Sequence, residues 1–256
     1  MLQAERQKII LSLIDKQGVV YVPELAQKFE ASISTIRRDL LELEKAGKIS
    51  RTHGGAVSNT FRLSIEQPVN IKKDSYTSEK KRIALAAAEL VKPGSTIILD
   101  SSTTVNLIAE QILNIPDITV ITNDLWNINA LSTSPNIELI TVGGLLRKGS
   151  YTHIGYFCEK ILEEIHADMA FLGVDAIDPR SGLMICAQEG TRQKKLMVDA
   201  ATKSIVVCDH SKFAAKALVS FCDLKKISCV ITGTEALVYE ESITAMQNMG
   251  VKVKTV

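Results

Sequence analysis

Five consecutive positions, Asp100-Ser101-Ser102-Thr103-Thr104, hold one carboxylate and four hydroxyls. They follow the apolar run Thr96-Ile97-Ile98-Leu99 and open a helical pattern over 105–113. Hydroxyls and backbone amides without intrahelical partners therefore converge at a helix N-terminus, which is a site for an anion. The plainer reading of the same residues is an N-cap with no ligand. Other chemistry-bearing residues also end apolar runs: Asn123 in Thr122-Asn123-Asp124, the pair Gly143-Gly144 with Arg147 and Lys148 just after, Asp175 and Asp178, and Lys212 in Asp209-His210-Ser211-Lys212. Glycines let a backbone approach a ligand closely and nearby cations favour a negative one, although a plain turn uses the same residues. Asp175, Asp178 and Glu189, if gathered in one cleft, could shuttle protons should burial and repulsion raise one carboxyl's pKa.

A different chemistry is written in residues 32–40. Ser32 is a good N-cap, and Ile33, Ile36, Leu40 and Leu43 recur at the three-and-four spacing of a helix with one buried face. At about 100° per residue, Arg38 lies almost opposite the apolar centre, with Ser34 and Thr35 on either side and Arg37 nearer the buried side. Hydroxyls and a guanidinium near a helix N-terminus suit a DNA major groove, where the helix end holds phosphates and an arginine reaches guanine edges or more phosphates. An ordinary solvated helix face has the same composition.

The elements that must position these residues follow from periodicity. A helix over 4–16 carries Ile9, Ile10, Leu13 and Ile14 and stops at Gln17-Gly18. A short β-branched run over 19–22 leads to Pro23, which suits the first turn of a second helix bearing Leu25, Ala26 and Phe29. About three residues of turn separate it from the Ser32 helix, the spacing of a helix-turn-helix. After Gly47, residues 48–57 read as two short strands around Gly54-Gly55, the pattern of a basic wing. Nine basic residues face seven acidic ones over 1–57, so the excess is small and its placement on the groove side matters more than its size. Residues 58–77 are polar, with the lone Pro68 and no sustained period, and read as a linker. From 78 onward a helix over 81–91 and a strand over 96–100 begin an alternation, with further strand-like runs at 118–122, 137–142, 169–172, 204–207, 229–232 and 251–256. That alternation predicts a mostly parallel α/β sheet covered on both faces. Ligands bind beyond the carboxyl ends of such strands, where the residues of the opening paragraph lie. The expected organisation is 1–57, a linker over 58–77, and 78–256. Trp126 follows the Asn123 loop and either flanks the cleft or, more simply, packs in the core.

Composition narrows the class. With 46% hydrophobic and 23% charged residues the 256-residue chain has an ordinary globular balance, and a formal charge of +1 argues neither for nor against nucleic acid. Five cysteines, odd in number and without a CxxC pair, read as reduced, buried thiols rather than a metal site or disulfide framework. The first residues lack the layout of a signal peptide and no run approaches a membrane-spanning length, so the expected location is the cytoplasm, with no membrane partner.

The run Thr35-Ile36-Arg37-Arg38-Asp39-Leu40, followed by Leu43-Glu44, Gly47 and Arg51-Thr52-His53-Gly54-Gly55-Ala56, resembles the N-terminal signature of DeoR-family bacterial transcriptional repressors. The resemblance implies a winged helix-turn-helix in which Ser34, Thr35, Arg37 and Arg38 face DNA, with Arg51 and His53 in the wing. It continues through Asp100 to Thr104, which is similar to the family's phosphate loop with Ser102 where glycine is usual, and through Asn123, Gly143-Gly144, the segment Phe171-Leu172-Gly173-Val174-Asp175-Ala176-Ile177-Asp178, and Asp209 to Phe213. It implies a C-terminal sensor with a sugar-isomerase-like fold, resembling ribose-5-phosphate isomerase, that binds phosphorylated sugars or related metabolites. On that resemblance Ser102, Thr103, Thr104 and Lys212 hold the phosphate, Asp175, Asp178 and Glu189 hold the sugar, and Asp100, Asn123, Gly143 and Gly144 complete the effector site. The implied function is a repressor of a carbohydrate operon, without cofactor or metal, whose partners are double-stranded operator DNA, a sugar-phosphate effector and further copies of itself as a homodimer or homotetramer. The competing reading is a sugar-phosphate isomerase with an appended DNA-binding domain. Such isomerases carry a lysine in a glycine-rich turn where this chain has Pro179-Arg180-Ser181-Gly182-Leu183-Met184, so the carboxylates lack that cationic partner and read as binding groups rather than catalytic ones.

Overall fold

A computed structural model describes residues 2–17, 19–46, 48–52, 54–58 and 66–256 of the chain. It divides into two units, Met1–Ser75 and Tyr76–Val256.

In the first unit, α1 (Gln3–Gln17), β1 (Val19–Tyr21), α2 (Val22–Lys28) and α3 (Ile33–Lys45) are followed by the hairpin β2 (Ile49–Thr52) and β3 (Gly55–Ser58), and then by α4 (Val69–Asp74). Pro23 lies in the first turn of α2, where its missing N–H costs no helical bond. The strands form an antiparallel sheet in the order β1-β3-β2. Gly55 pairs with Tyr21 there, and any Cβ on it would collide with the Val20 carbonyl, so this register requires glycine. One core joins Ile10 and Ile14 of α1, Leu25 of α2, Ile36, Leu40 and Leu43 of α3, and Ile49 and Ala56 of the hairpin. Ile33, expected on the buried face of α3, is instead about half exposed. As the first helical residue its side chain points back beyond the packed turns, and on the other flank of the stripe Asp39 is buried. The stretch 58–77, read as a linker, carries α4, which Pro68 opens and whose Ile71 is buried. His53, Gly47 and residues 59–65 lie outside the described residues.

The second unit is built on a seven-stranded parallel sheet. Its strands are β4 (Thr96–Leu99), β5 (Ile118–Thr122), β6 (Ile137–Thr141), β9 (Ala167–Leu172), β12 (Ala201–Val207), β14 (Cys229–Thr232) and β15 (Lys252–Thr255), in the order β15-β14-β12-β9-β4-β5-β6. The helices are α5 (Thr77–Ala88), α6 (Thr103–Gln111), α7 (Leu125–Leu131), α8 (Tyr156–Glu164), α9 (Thr191–Ala200), the single turn α10 (Ser211–Ala214) and α11 (Glu240–Asn248). Alternate strand residues feed two cores: Ile98, Ile121, Ala170 and Val206 on one side, Ile97, Leu99, Val120, Phe171 and Ile205 on the other. That period of two, with both sides apolar, is why the strands read as continuous hydrophobic runs. Two additions had no signal in the sequence reading: an antiparallel ribbon of β7 (Leu145–Arg147) and β8 (Thr152–Ile154), and an antiparallel sheet β10-β11-β13 made of Ala176–Asp178, Gly182–Ile185 and Val219–Cys222. Both are assembled from three- or four-residue pieces, too short for a periodic signal. No helix among the described residues is long and apolar enough to cross a membrane.

Candidate functional site

The N-terminus of α3 is a cluster of hydroxyls. Ser32 Oγ accepts the Thr35 backbone N–H at 3.1 Å and lies 2.8 Å from both Ser34 Oγ and Thr35 Oγ1. Ser34, Arg37 and Arg38 are exposed and Thr35 is partly so. On the inner face Arg6 of α1 grips Asp39 with two bonds, Nε to Oδ2 at 2.5 Å and Nη2 to Oδ1 at 3.1 Å, and at the exposed margin Gln3 and Gln7 donate to Glu42 at 2.8 and 2.9 Å. The Asp39 hydrogen bond raises the Arg6 pKa further, outweighing the opposing effect of burial. α3 is thus bolted to α1 through polar groups while its cationic face stays outside. In the wing, Arg51 is exposed and tethered to Glu44 of α3, its N–H donating to Oε1 at 3.0 Å and its guanidinium lying 3.8 Å from Oε2. His53, the other wing residue, is outside the described residues.

In the second unit the loops after adjacent parallel strands form one rim: 100–104 after β4, Asn123 after β5, Gly143-Gly144 after β6, Asp175 beyond β9, and 209–212 after β12. Ser102 N-caps α6, its Oγ accepting the Val105 N–H at 3.0 Å. Its Cβ lies where a side chain on Gly173 would have to be. Thr104 is buried, while Thr103 Oγ1 accepts from Lys80 Nζ at 3.1 Å. Lys80 is itself buried on α5, 3.9 Å from Asp209 Oδ2. Burial pushes the Asp209 carboxyl up, but Lys212, the Ser211 hydroxyl and Lys80 outweigh it and hold it below the usual carboxylate range. Lys80 thus reaches the N-terminus of α6, and Lys212 stands close to Asp209 on the neighbouring loop.

Asp100 plays a different part from the one expected. Its Oδ2 accepts the Gly173 N–H at 3.0 Å and pairs with Lys194 of α9, whose ammonium also donates to the Gly173 carbonyl at 2.8 Å. Asp100 is a buried knot joining β4, β9 and α9. Behind it, Asn127 Nδ2 donates to the Asp100 carbonyl and to Thr122 Oγ1, both at 3.2 Å, and Asn106 Nδ2 donates to Asp124 Oδ1 at 2.9 Å. Burial pushes the Asp124 carboxyl up to about 6 against the hydrogen bonds from Asn127 and Asn106 that favour its charged form. Asn123 Nδ2 donates to the His153 carbonyl at 2.9 Å, and its buried Oδ1 has no partner.

The carboxylates expected in one cleft are not equivalent. Asp175 Oδ2 accepts the Cys186 N–H at 3.0 Å across the β10–β11 pair. Asp178 Oδ1 accepts the N–H groups of Arg180 and Ser181 at 3.0 and 2.7 Å, closing the turn into β11, and Glu189 is exposed on a 3₁₀ turn before α9. Lys194, the cation nearest Asp100, is bonded to that carboxylate and to the Gly173 carbonyl. Glu79, Asp209 and His210 also place one donor each within 4.8 Å of one another. Glu79 accepts from the His210 N–H at 2.8 Å and lies 2.7 Å from its Nδ1, and Lys80 is beside Asp209, so cations and mutual hydrogen bonds already neutralise that cluster. Trp126, read as core, is 43% exposed on α7.

Lys80, Lys194 and Asp39 were missed. Lys80 shares a helix face with Ile83, Ala84 and Ala87, Lys194 with Met197 and Val198, and Asp39 with Ile36, Leu40 and Leu43, all buried. A charge at an apolar position of a helical stripe was the available signal.

Comparison with known proteins is consistent from end to end. Residues 6–62 match the DeoR-like helix-turn-helix domain and residues 75–234 the DeoR C terminal sensor domain. The chain is 36% identical over 251 residues to a putative aga operon transcriptional repressor of Escherichia coli O157:H7, covering 98% of this chain and 93% of that protein. It is 33% identical over 232 residues to the glycerol-3-phosphate regulon repressor of Escherichia coli K12, covering 91% of each. A ribose 5-phosphate isomerase from Methanocaldococcus jannaschii superposes on 54% of this chain and 55% of its own, with a TM-score of 0.41 and 22% identity. With a helix-turn-helix domain and a sensor domain both matched, and relatives of this kind aligned over nearly their whole length, the chain belongs to the DeoR family of DNA-binding transcriptional regulators.

Proposed function

We propose that this regulator represses a carbohydrate-metabolism operon and is controlled by a phosphorylated sugar or related metabolite bound at the rim of its sensor. The observation that carries the reading is the α6 N-terminus: backbone amides and the Ser102-Thr103-Thr104 hydroxyls open the helix, with Lys80 on Thr103 and Lys212 close to Asp209 on the neighbouring loop, a setting for a phosphate. The unpartnered, buried Asn123 Oδ1 is an acceptor for a ligand hydroxyl, since a buried polar atom without a partner is costly. Asp175, Asp178, Glu189 and the Gly143-Gly144 backbone belong to the sugar-facing part of this proposal, and Asp100 serves it indirectly by fixing the loop. Operator DNA is held by Ser34, Thr35, Arg37 and Arg38 of α3 with Arg51 and His53 of the wing, and the protein acts as a homodimer or homotetramer in the cytoplasm. Proton-transfer catalysis is not favoured, because Lys194 is committed to Asp100 and Gly173 and Asp178 to a turn.

The test pairs two variants. A panel of sugar phosphates is screened by thermal denaturation, and a true ligand at about 100 times its Kd adds about 2.7 kcal/mol of stability. Lys212→Ala abolishes that gain and leaves operator binding intact, whereas Arg38→Ala weakens operator binding, lowers its salt slope by ~0.9 and leaves the ligand shift intact. A ligand shift that survives Lys212→Ala overturns the phosphate assignment, an unchanged salt slope overturns that of Arg38, and turnover of any pentose or hexose phosphate in a coupled assay would restore the enzyme reading.

A further inference from the structure

Among the described residues, five buried side-chain atoms lack a hydrogen-bond partner, and two of them belong to amides that reach the same turn of one helix. α8 opens at Gly155, whose φ of 91° and ψ of −171° suit glycine alone, and no side chain caps it. Against its first turn the Asn123 amide lies 4.0 Å from Cys158 Sγ, and Gln193 of α9 donates from Nε2 to Glu159 Oε1 at 3.0 Å. Gly144 closes in from the loop after β6, since any Cβ on it would lie 2.6 Å from the Ile154 carbonyl oxygen and 3.4 Å from Cys158 Cβ. The loops after β5 and β6 and the start of α9 thus converge on residues 154–159. Lys194, next to Gln193 in α9, holds Asp100, the residue that opens the 100–104 loop. Gln193 is therefore one residue from a side chain that fixes the proposed phosphate end of the site.

Asn123 and Gln193 are each 2% exposed, and each is half paired in the same way. Asn123 Nδ2 donates to the His153 carbonyl at 2.9 Å and leaves Oδ1 bare, while Gln193 Nε2 donates to a carboxylate and leaves Oε1 bare. Turning either amide over would set an oxygen against an oxygen, so both bare atoms are acceptors and what they lack is a donor. The cations of α9 are committed elsewhere, Arg192 to Glu159 and Glu163 at 2.7 Å and Lys194 to Asp100 and the Gly173 carbonyl. Buried acceptors without donors are costly and rare, and two around one turn point to a group that arrives from outside. An ionised phosphate or carboxylate brings no donor and would meet two oxygens and the Glu159 carboxylate. A hydrocarbon leaves both acceptors unpaired. A hydroxyl gives its proton to Oδ1 or Oε1, and its own oxygen can accept from the N–H groups at the uncapped start of α8.

We propose that Gln193 is a specificity-determining residue of the effector site, acting with Asn123 to hold uncharged hydroxyl groups of the sugar moiety. This deepens the sugar-phosphate reading above and rests on it. The full chain is titrated by calorimetry with two probes, inorganic phosphate and the tightest-binding member of a set of pentose 5-phosphates and hexose 6-phosphates. Gln193→Met keeps the side-chain volume and removes Oε1. It weakens the sugar phosphate by about tenfold or more, because a ligand hydroxyl then enters a buried place without its acceptor, and it shifts the Kd for inorganic phosphate by less than about twofold. Gln193→Leu does the same and takes its place if a thermal melt shows that the first variant does not fold. Equal loss of affinity for both probes overturns the inference by showing that Gln193 only supports the fold, and no loss for either overturns it by showing that water satisfies the oxygen. A parent chain that binds no member of the sugar-phosphate set overturns the effector reading itself. A set that binds, with Gln193 variants that do not separate the two probes, overturns the role of Gln193 alone.

Discussion

Two helices of this protein begin alike and end up in opposite surroundings. α3 and α6 are each capped by a serine that accepts an amide three residues on, and each follows the cap with more hydroxyls. At α3 the hydroxyls stand on an exposed surface with Arg37 and Arg38 beside them. At α6 they sit at the rim of a sheet, partly buried, with Lys80 on Thr103 and Asp209 behind that lysine. The same local device therefore offers an anion site to a long polymer in one place and to a small molecule in the other. The ionic groups around each decide which, because exposed cations reach phosphates spread along a duplex while recessed ones admit only what fits the rim.

Removing the buried support of each helix breaks the comparison most severely. Asp39→Ala leaves Arg6 without its carboxylate and lets α3 shift on α1, so the DNA-binding unit loses about 3 kcal/mol in chemical denaturation and operator affinity falls with it, while sensor stability is unchanged. Equal loss in both units would mean that Asp39 does not act locally.

The counterpart near α6 is Asp124, and its effect is read through pH. The folded chain keeps this proton up to about 6, whereas the unfolded chain releases it near 3.8. Between those values the folded state binds the extra proton, so stability falls as pH rises through the window, by about 2–3 kcal/mol in all. Asp124→Asn retains an Oδ1 acceptor for Asn127 and Asn106 and removes the ionisation, so its sensor gains on the parent as pH rises from 4 to 6 and holds that advantage at 7. Parallel stability curves for the two proteins would refute the assignment.

The smallest effect sharpens the comparison directly. Ser32→Ala and Ser102→Ala each cost about 1 kcal/mol of local stability through the lost cap. Their functional readouts cross: the first weakens operator binding and spares the ligand shift, and the second does the reverse. Two variants that impair both functions equally would show that the caps are interchangeable structural features.

Much of this was legible in the residues. The cap and stripe of α3, the hairpin around Gly54-Gly55 and the strand-helix alternation of the sensor are local patterns, and each strand run predicted for the parallel sheet lies in it. The rim followed from topology, since every predicted loop residue from 100 to 123 and at 143, 144, 175 and 212 comes after a strand of one sheet or the link beyond it. What was not legible depends on partners far apart in sequence. The sequence shows nothing of Asp100's pairing until Lys194 is brought to it, nothing of the turn that Asp178 closes through the Arg180 and Ser181 N–H groups, and Trp126 looks like core until α7 turns it outward. Asp39 is buried on one flank of the α3 stripe because Arg6, far off in sequence, is brought to it, which periodicity alone does not reveal.

The contact between Ser102 and Gly173 carries a consequence for inheritance. A methyl at 173 would overlap the serine's Cβ and Oγ, so the two positions share a single volume. With glycine at 102 that volume opens, and alanine at 173 becomes tolerable on steric grounds. The order of change then matters: the larger residue can arrive at 173 only after the smaller one has arrived at 102, and the reverse order passes through a clash at the phosphate loop. In descendants of this sequence the two sites are expected to drift as a pair, with history recorded in which member is small.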